Sequence, residues 1–161
     1  RGVGGMRDDG QVRVGGTSVD RAWIESVRAE YGHCFGCGRD NPMGLRVDGF
    51  ERDGDTVRAS FTPRPEYLGF HGILHGGVLA TALDEILGWT TILVGGHMAV
   101  TATLELKYRK PAPPDVRYDL VGSLDEVRGR RLMVSATCSH GSTVVAEASG
   151  LFLATEPVPG P

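Results

Sequence analysis

The stretch "HGGVLATALDEILGW", residues 75–89, decides how this chain folds. Its apolar residues Val78, Leu79, Ala82, Leu83, Ile86 and Leu87 leave almost no wet face, the pattern of a helix packed on all sides, and Gly95-Gly96 is the expected end. Asp84 and Glu85 sit in its middle, the only charges between His75 and His97. Neighbouring helical residues point about 100° apart, so these two carboxylates cannot share one environment. One can meet a buried cleft while the other reaches solvent or a basic partner. A carboxylate against apolar walls is raised toward neutrality, which suits proton transfer. The alternative is that both lie on the edge of an incompletely covered face and pair with arginines.

The start of the helix carries the next signal. "HGG" at 75–77 offers none of the preferred Ser, Thr, Asp or Asn caps, so the first backbone N–H groups are free to hold an oxygen. Gly76 and Gly77 permit close approach, and the positive end of the helix dipole favours developing negative charge, an arrangement suited to an oxyanion hole. The same dipeptide also suits a loop that needs positive φ. His71 and His75, flanking this entry, are candidates for a role beside it.

Outward from the helix the pattern is β. "LRVDGFERDGDTVRASFTP" reads as a hairpin turning near Asp53-Gly54, with Val57, Ala59 and Phe61 on one face. After the helix, Val100, Ala102, Leu104, Leu106 and Tyr108 alternate with Thr101, Thr103, Glu105, Lys107 and Arg109, a half-covered strand closed by Pro111, Pro113 and Pro114. Three further strands, at roughly 116–127, 130–139 and 143–154, are joined by short turns and are therefore antiparallel neighbours. The fold class is α+β, one long helix against an antiparallel sheet. Ser18 or Asp20 can cap a short surface helix carrying Trp23, Ile24, Val27 and Tyr31 on one stripe. Residues 1–16 are Gly-rich and without periodicity and are expected to be a disordered tail, as are residues 156–161, leaving 17–155 as one domain.

Composition narrows the function classes. The 161 residues suffice for one core, and a net charge of −3 supplies no basic field for a nucleic-acid backbone. No apolar run reaches membrane-spanning length and no basic-then-apolar segment opens the sequence, so the expected compartment is the cytoplasm, with no membrane partner. Cys34, Cys37 and Cys138 are too few and odd in number for a disulfide scaffold. Cys34 and Cys37 have the spacing of half a metal site, but no second cysteine pair completes it, so no metal is expected. Cys138, in phase with Leu132, Val134 and Ala136, reads as core packing.

Taken together, "GILHGGVLATALDE" (72–85), "VTATLELKYRKPAPP" (100–114), "RGRRLMVSATC" (128–138) and the lead-in "CFGCGRDNPMGL" (34–45) resemble the hotdog-fold acyl-CoA thioesterases of the hydroxybenzoyl-CoA and phenylacetyl-CoA type. The resemblance covers about residues 32–154. It implies a curved antiparallel sheet wrapped around one long central helix, paired as a homodimer or a dimer of dimers, with sites shared between chains. It implies hydrolysis of an acyl-CoA, with no cofactor beyond the coenzyme A of the substrate. The helix carboxylate nine positions beyond the motif His, acting as general base or as nucleophile, is Asp84, the oxyanion donor is Gly76, helped by Gly77, and Thr101 helps place water. Lys107, Arg109, Arg130 and Arg131 would meet the phosphates, and Trp89 and Met98 would line the acyl end. His71 stands where many relatives have Asn or Gln. Glu85 is expected to face a basic partner or the cleft rim. Hotdog hydroxyacyl dehydratases, which pair a His with an acid fourteen residues on as His71 and Glu85 are here, give one alternative reading; a non-catalytic acyl-CoA-binding module gives another.

Overall fold

The computed structural model describes residues 11–14 and 17–158. Strands β1 (Gln11–Val14) and β2 (Thr17–Asp20) form a two-stranded antiparallel ribbon, followed by helix α1 (Arg21–Glu30). The expected tail over 1–16 is therefore wrong for 11–14, where backbone pairing with β2 supplies the order that side-chain periodicity did not announce. The Ser18 and Asp20 caps fall on side chains outside the described ones. In α1, Trp23 and Ile24 are buried as expected, while Tyr31 lies beyond the helix and is exposed. Arg28 is buried as well. Its guanidinium donates to Asp48 Oδ1 at 2.7 Å and to the Cys37 and Val47 carbonyls, and stands 5.6 Å from the Phe50 ring centroid, fastening α1 to the loop before the main sheet.

That sheet has six strands among the described residues: β3 (Asp48–Asp53), β4 (Thr56–Phe61), β5 (His97–Tyr108), β6 (Tyr118–Arg128), β7 (Arg131–His140) and β8 (Thr143–Pro157), in spatial order β3-β4-β6-β7-β8-β5. All neighbours are antiparallel, and the expected hairpins are present. Gly129 and Gly141 take positive φ at the two tight turns, which an L side chain resists. β8 runs three residues further than its hydrophobic pattern, to Pro157, because His97 and Met98 of β5 pair with Pro157 and Glu156; the expected tail at 156–161 thus starts too early. Residues 159–161 lie outside the described ones.

Helix α2 (Gly76–Leu93) lies across the sheet, with Leu79, Ala82, Leu83, Ile86, Leu87 and Leu93 almost wholly buried. Tyr118, Leu120, Leu132, Val134 and Phe152 meet them from the strands. This is the expected α+β hotdog architecture. Among the described residues no helix is long and apolar enough to cross a membrane.

β5 departs from its sequence pattern. It pairs with β8 on one side and is an edge on the other, and an extra residue enters it between Thr101 and Thr103. Such a bulge shifts the alternation by one position. Leu104 and Leu106 remain packed against the core, but Thr101, expected on the opposite face, is turned to the helix side with them, and Val100 is 55% exposed.

Candidate active site

The seam between α2 and edge strand β5 holds Gly76, Asp84 and Thr101, but at two separate stations. At the helix start, His75 is the N-cap, and its Nδ1 accepts the Gly77 N–H at 2.9 Å. The expectation that no side chain caps "HGG" is therefore incorrect, and Gly77 is withdrawn as a free donor: an imidazole nitrogen does here what Ser or Asp usually does. The Val78 and Leu79 amides bond to the His75 carbonyl. Among the described residues, the Gly76 N–H is the first-turn amide that meets no acceptor. Tyr108 Oη donates to the Gly76 carbonyl at 2.8 Å, and beside it lies a groove of about 390 Å³ lined by Ile73, Leu74, Gly76, Leu79, Tyr108 and Pro111. His75→Ala should lower stability by about 1 kcal/mol through the lost cap, read from the urea midpoint at constant m-value.

The second station is Asp84. Thr101 Oγ1 donates to Asp84 Oδ1 at 2.7 Å, a contact made possible by the bulge in β5. One carboxylate oxygen is thus fixed, and the half-exposed group faces the open edge of the sheet. Asp84 lies eight positions beyond Gly76, so about 12 Å of helix lies between them. Within one chain they cannot touch the same atom.

Glu85 points elsewhere. Trp89 Nε1 donates to its Oε1 at 3.0 Å, and Cys34 Sγ stands 3.7 Å from its Oε2. Burial pushes this carboxyl up to about 7, helped by the charge of the Cys34 sulfur and by Asp84, against the hydrogen bonds from Cys37 and Trp89. The hydrogen bond from the Cys37 thiol draws Cys34 well below its ordinary value in spite of burial, with the amides of Cys37 and Gly36 acting the same way; Cys37, left with the proton, is pushed up. The expected basic partner or cleft rim for Glu85 is replaced by two thiols. No periodicity could signal this, because Cys34 and Glu85 are 51 positions apart.

The remaining candidates scatter. His71 is exposed in a turn at φ 54°, its ring 5.9 Å from that of Phe70, and it touches neither Asp84 nor Gly76. Trp89 is buried and stacked on Phe50 at 4.5 Å within the core. Met98 is half-buried against the core at the start of β5. The four basic residues do not form one cradle. Arg109 is bridged to Glu147 at 2.6 Å, and Lys107 lines a groove of about 410 Å³ on the outer face of the sheet. Arg130 and Arg131 sit at the β6–β7 turn, where Arg131 and Val100 both register with Leu153, seven strand residues or about 23 Å from Lys107. A chain's own side chains thus offer two small basic ends.

Comparison with known proteins agrees with this architecture. Residues 71–148 match the family model described as the thioesterase superfamily. Acyl-coenzyme A thioesterase THEM4 of Bos taurus is 29% identical over 142 residues, 86% of this chain and 58% of that protein. A crystal structure of a thioesterase superfamily protein superposes with a TM-score of 0.70 at 32% identity, covering 75% of this chain and 60% of its own. A protein of Streptococcus mutans solved with acetyl CoA shares the fold, with a TM-score of 0.64 at 23% identity over 70% of this chain and 90% of that one. The chain thus spans less than two thirds of the curated relative's length.

Proposed function

We propose that this chain, whose residues 71–148 match the thioesterase superfamily model, hydrolyses an acyl-CoA thioester to the free acid and CoA, at a site completed by a second copy of itself. The observation that carries this reading is the seam with an unclaimed Gly76 amide at one end and Asp84, held by Thr101, about 12 Å along the same helix. A two-fold axis beside β5 reverses the seam. It sets the amide end of one protomer against the acid of the other.

An open edge of twelve residues bearing exposed Val100 and Tyr108 is the surface such pairing would cover. The Gly76 N–H then holds the thioester oxygen and its tetrahedral oxyanion, worth about 3 kcal/mol for such a donor. Asp84 takes a proton from water as the water oxygen attacks the carbonyl carbon. The C–S bond breaks, and the CoA thiolate leaves and is protonated. The dehydratase pairing of His71 with Glu85 finds no support here, since both oxygens of Glu85 are engaged and His71 is exposed on a turn.

Thiol release measured over a panel of short, long and aromatic acyl-CoAs tests the reading. Turnover of at least one member is expected; tight binding throughout without release of free thiol would overturn it in favour of a binding module. The seam makes a more specific forecast. Thr101→Ala removes the hydrogen bond that orients Asp84, and kcat should fall about tenfold, with KM little changed.

A further inference from the structure

We propose that Cys34, Cys37 and Glu85 form a binding site for a divalent metal ion of the zinc class, with the remaining coordination position open to water. The site stands apart from the hydrolytic reading and does not depend on it. One ligand atom from each residue lies within 4.8 Å of the others, about 1 Å wider than the spread a tetrahedral ion imposes on thiolate and carboxylate ligands, a gap that small side-chain rotations close.

Three features of the structure point to a cation there. First, the carboxylate is largely withdrawn from water, and among the described residues no Lys or Arg pairs with it. Buried anions are paired or bind metals, and this carboxylate is met by Trp89 and two cysteine sulfurs without a cation. Second, the ligands are oriented. Trp89 holds Oε1 of Glu85 and leaves Oε2 toward the sulfurs, the supporting contact that metal-bound carboxylates commonly have. The backbone amides of Gly36 and Cys37 face the Cys34 sulfur, and the Gly38 amide closes the turn on the Cys34 carbonyl at 2.9 Å. Third, the chain makes room: a Cβ on Gly36 would stand 2.0 Å from Glu85 Oε2, so a side chain there would push the carboxylate off the cysteine turn.

Zn²⁺ would displace the thiol protons to solvent and tie the 34–37 turn to α2 at the residue beside Asp84. Cys138 lies on β7, outside this cluster. The spacing Cys34-x-x-Cys37 by itself showed half a site; Glu85 supplies the third ligand from a distant helix.

The test is a Co²⁺ titration of the reduced, chelator-treated full chain. Thiolate-to-cobalt charge transfer and the visible bands of a tetrahedral ion should saturate at about one ion per chain and vanish on adding Zn²⁺, which should also raise Tm by several degrees. Cys34→Ser, at the half-exposed ligand, should lower Zn²⁺ affinity by about 100-fold or more. Glu85→Gln keeps an acceptor for Trp89 and should lower it by about tenfold or more. An absent charge-transfer band in the reduced wild-type chain overturns the proposal, and so does unchanged affinity in either variant. Isolation from cells with Cys34 and Cys37 joined as a disulfide would assign the pair to redox chemistry and overturn it too.

Discussion

Replacing Asp84 by Asn is expected to lower kcat for acyl-CoA hydrolysis by about 10³-fold, the scale of a lost general base, while the Kd of a non-hydrolysable thioether analogue stays within about twofold. Asn is nearly isosteric and its amide oxygen still accepts from Thr101, so the geometry at 2.7 Å survives and only the proton acceptor is lost. A variant retaining more than a tenth of the wild-type rate would remove Asp84 from the chemistry. A single turnover in ¹⁸O-water separates the two ways a carboxylate can serve. If Asp84 attacks and water then opens the anhydride at the Asp84 carbon, the label enters the protein and the product acid is unlabelled, whereas proton abstraction places the label in the product acid alone.

The largest effect on stability is expected from Phe152→Ala. Phe152 is 2% exposed on β8, in register with Thr101 of β5 on one side and Leu132 of β7 on the other. Its ring lies over positions without side chains: a Cβ on Gly150 would come 3.0 Å from Cε2, and one on Gly88 of α2 would come 3.9 Å from Cε1. The ring thus fills the space between sheet and helix that two glycines leave open, and neither glycine has a side chain to expand into the void. Truncation should destabilise the chain by about 3–5 kcal/mol, the range for a buried aromatic whose cavity cannot collapse. Urea unfolding with an unchanged m-value checks this, and a loss below about 1 kcal/mol would show that the site relaxes. The same substitution should disturb the Thr101–Asp84 contact through the shared register, so activity should fall before stability does as denaturant is raised.

Much of the architecture is legible from local pattern. An apolar helix from 76 to 93 and paired strands joined by glycine turns need only the periods 3.6 and 2.0, which are carried within each element. Asp84 and Gly76 were legible too, because acid in an apolar helix and glycine at its entry are chemical exceptions visible in place. His75 as a cap was not, since imidazole rarely fills that role and only the backbone angle at the helix entry brings Nδ1 to the Gly77 amide. Thr101 read as facing away from Leu104; the inserted residue in β5 leaves no mark in an alternating pattern of small residues, yet it turns the hydroxyl to the helix.

By itself the sequence determined the elements, their antiparallel hairpins and the two groups whose chemistry contradicts their surroundings. The tertiary structure alone decided that β5 leaves the helix for the far edge beside β8, that Glu85 meets Cys34 and Cys37, and that Arg130 and Arg131 stand far from Lys107. The reason is physical: hydrophobic period is a property of a few adjacent residues, whereas sheet order and side-chain encounters across 51 positions follow from how whole elements exclude water together.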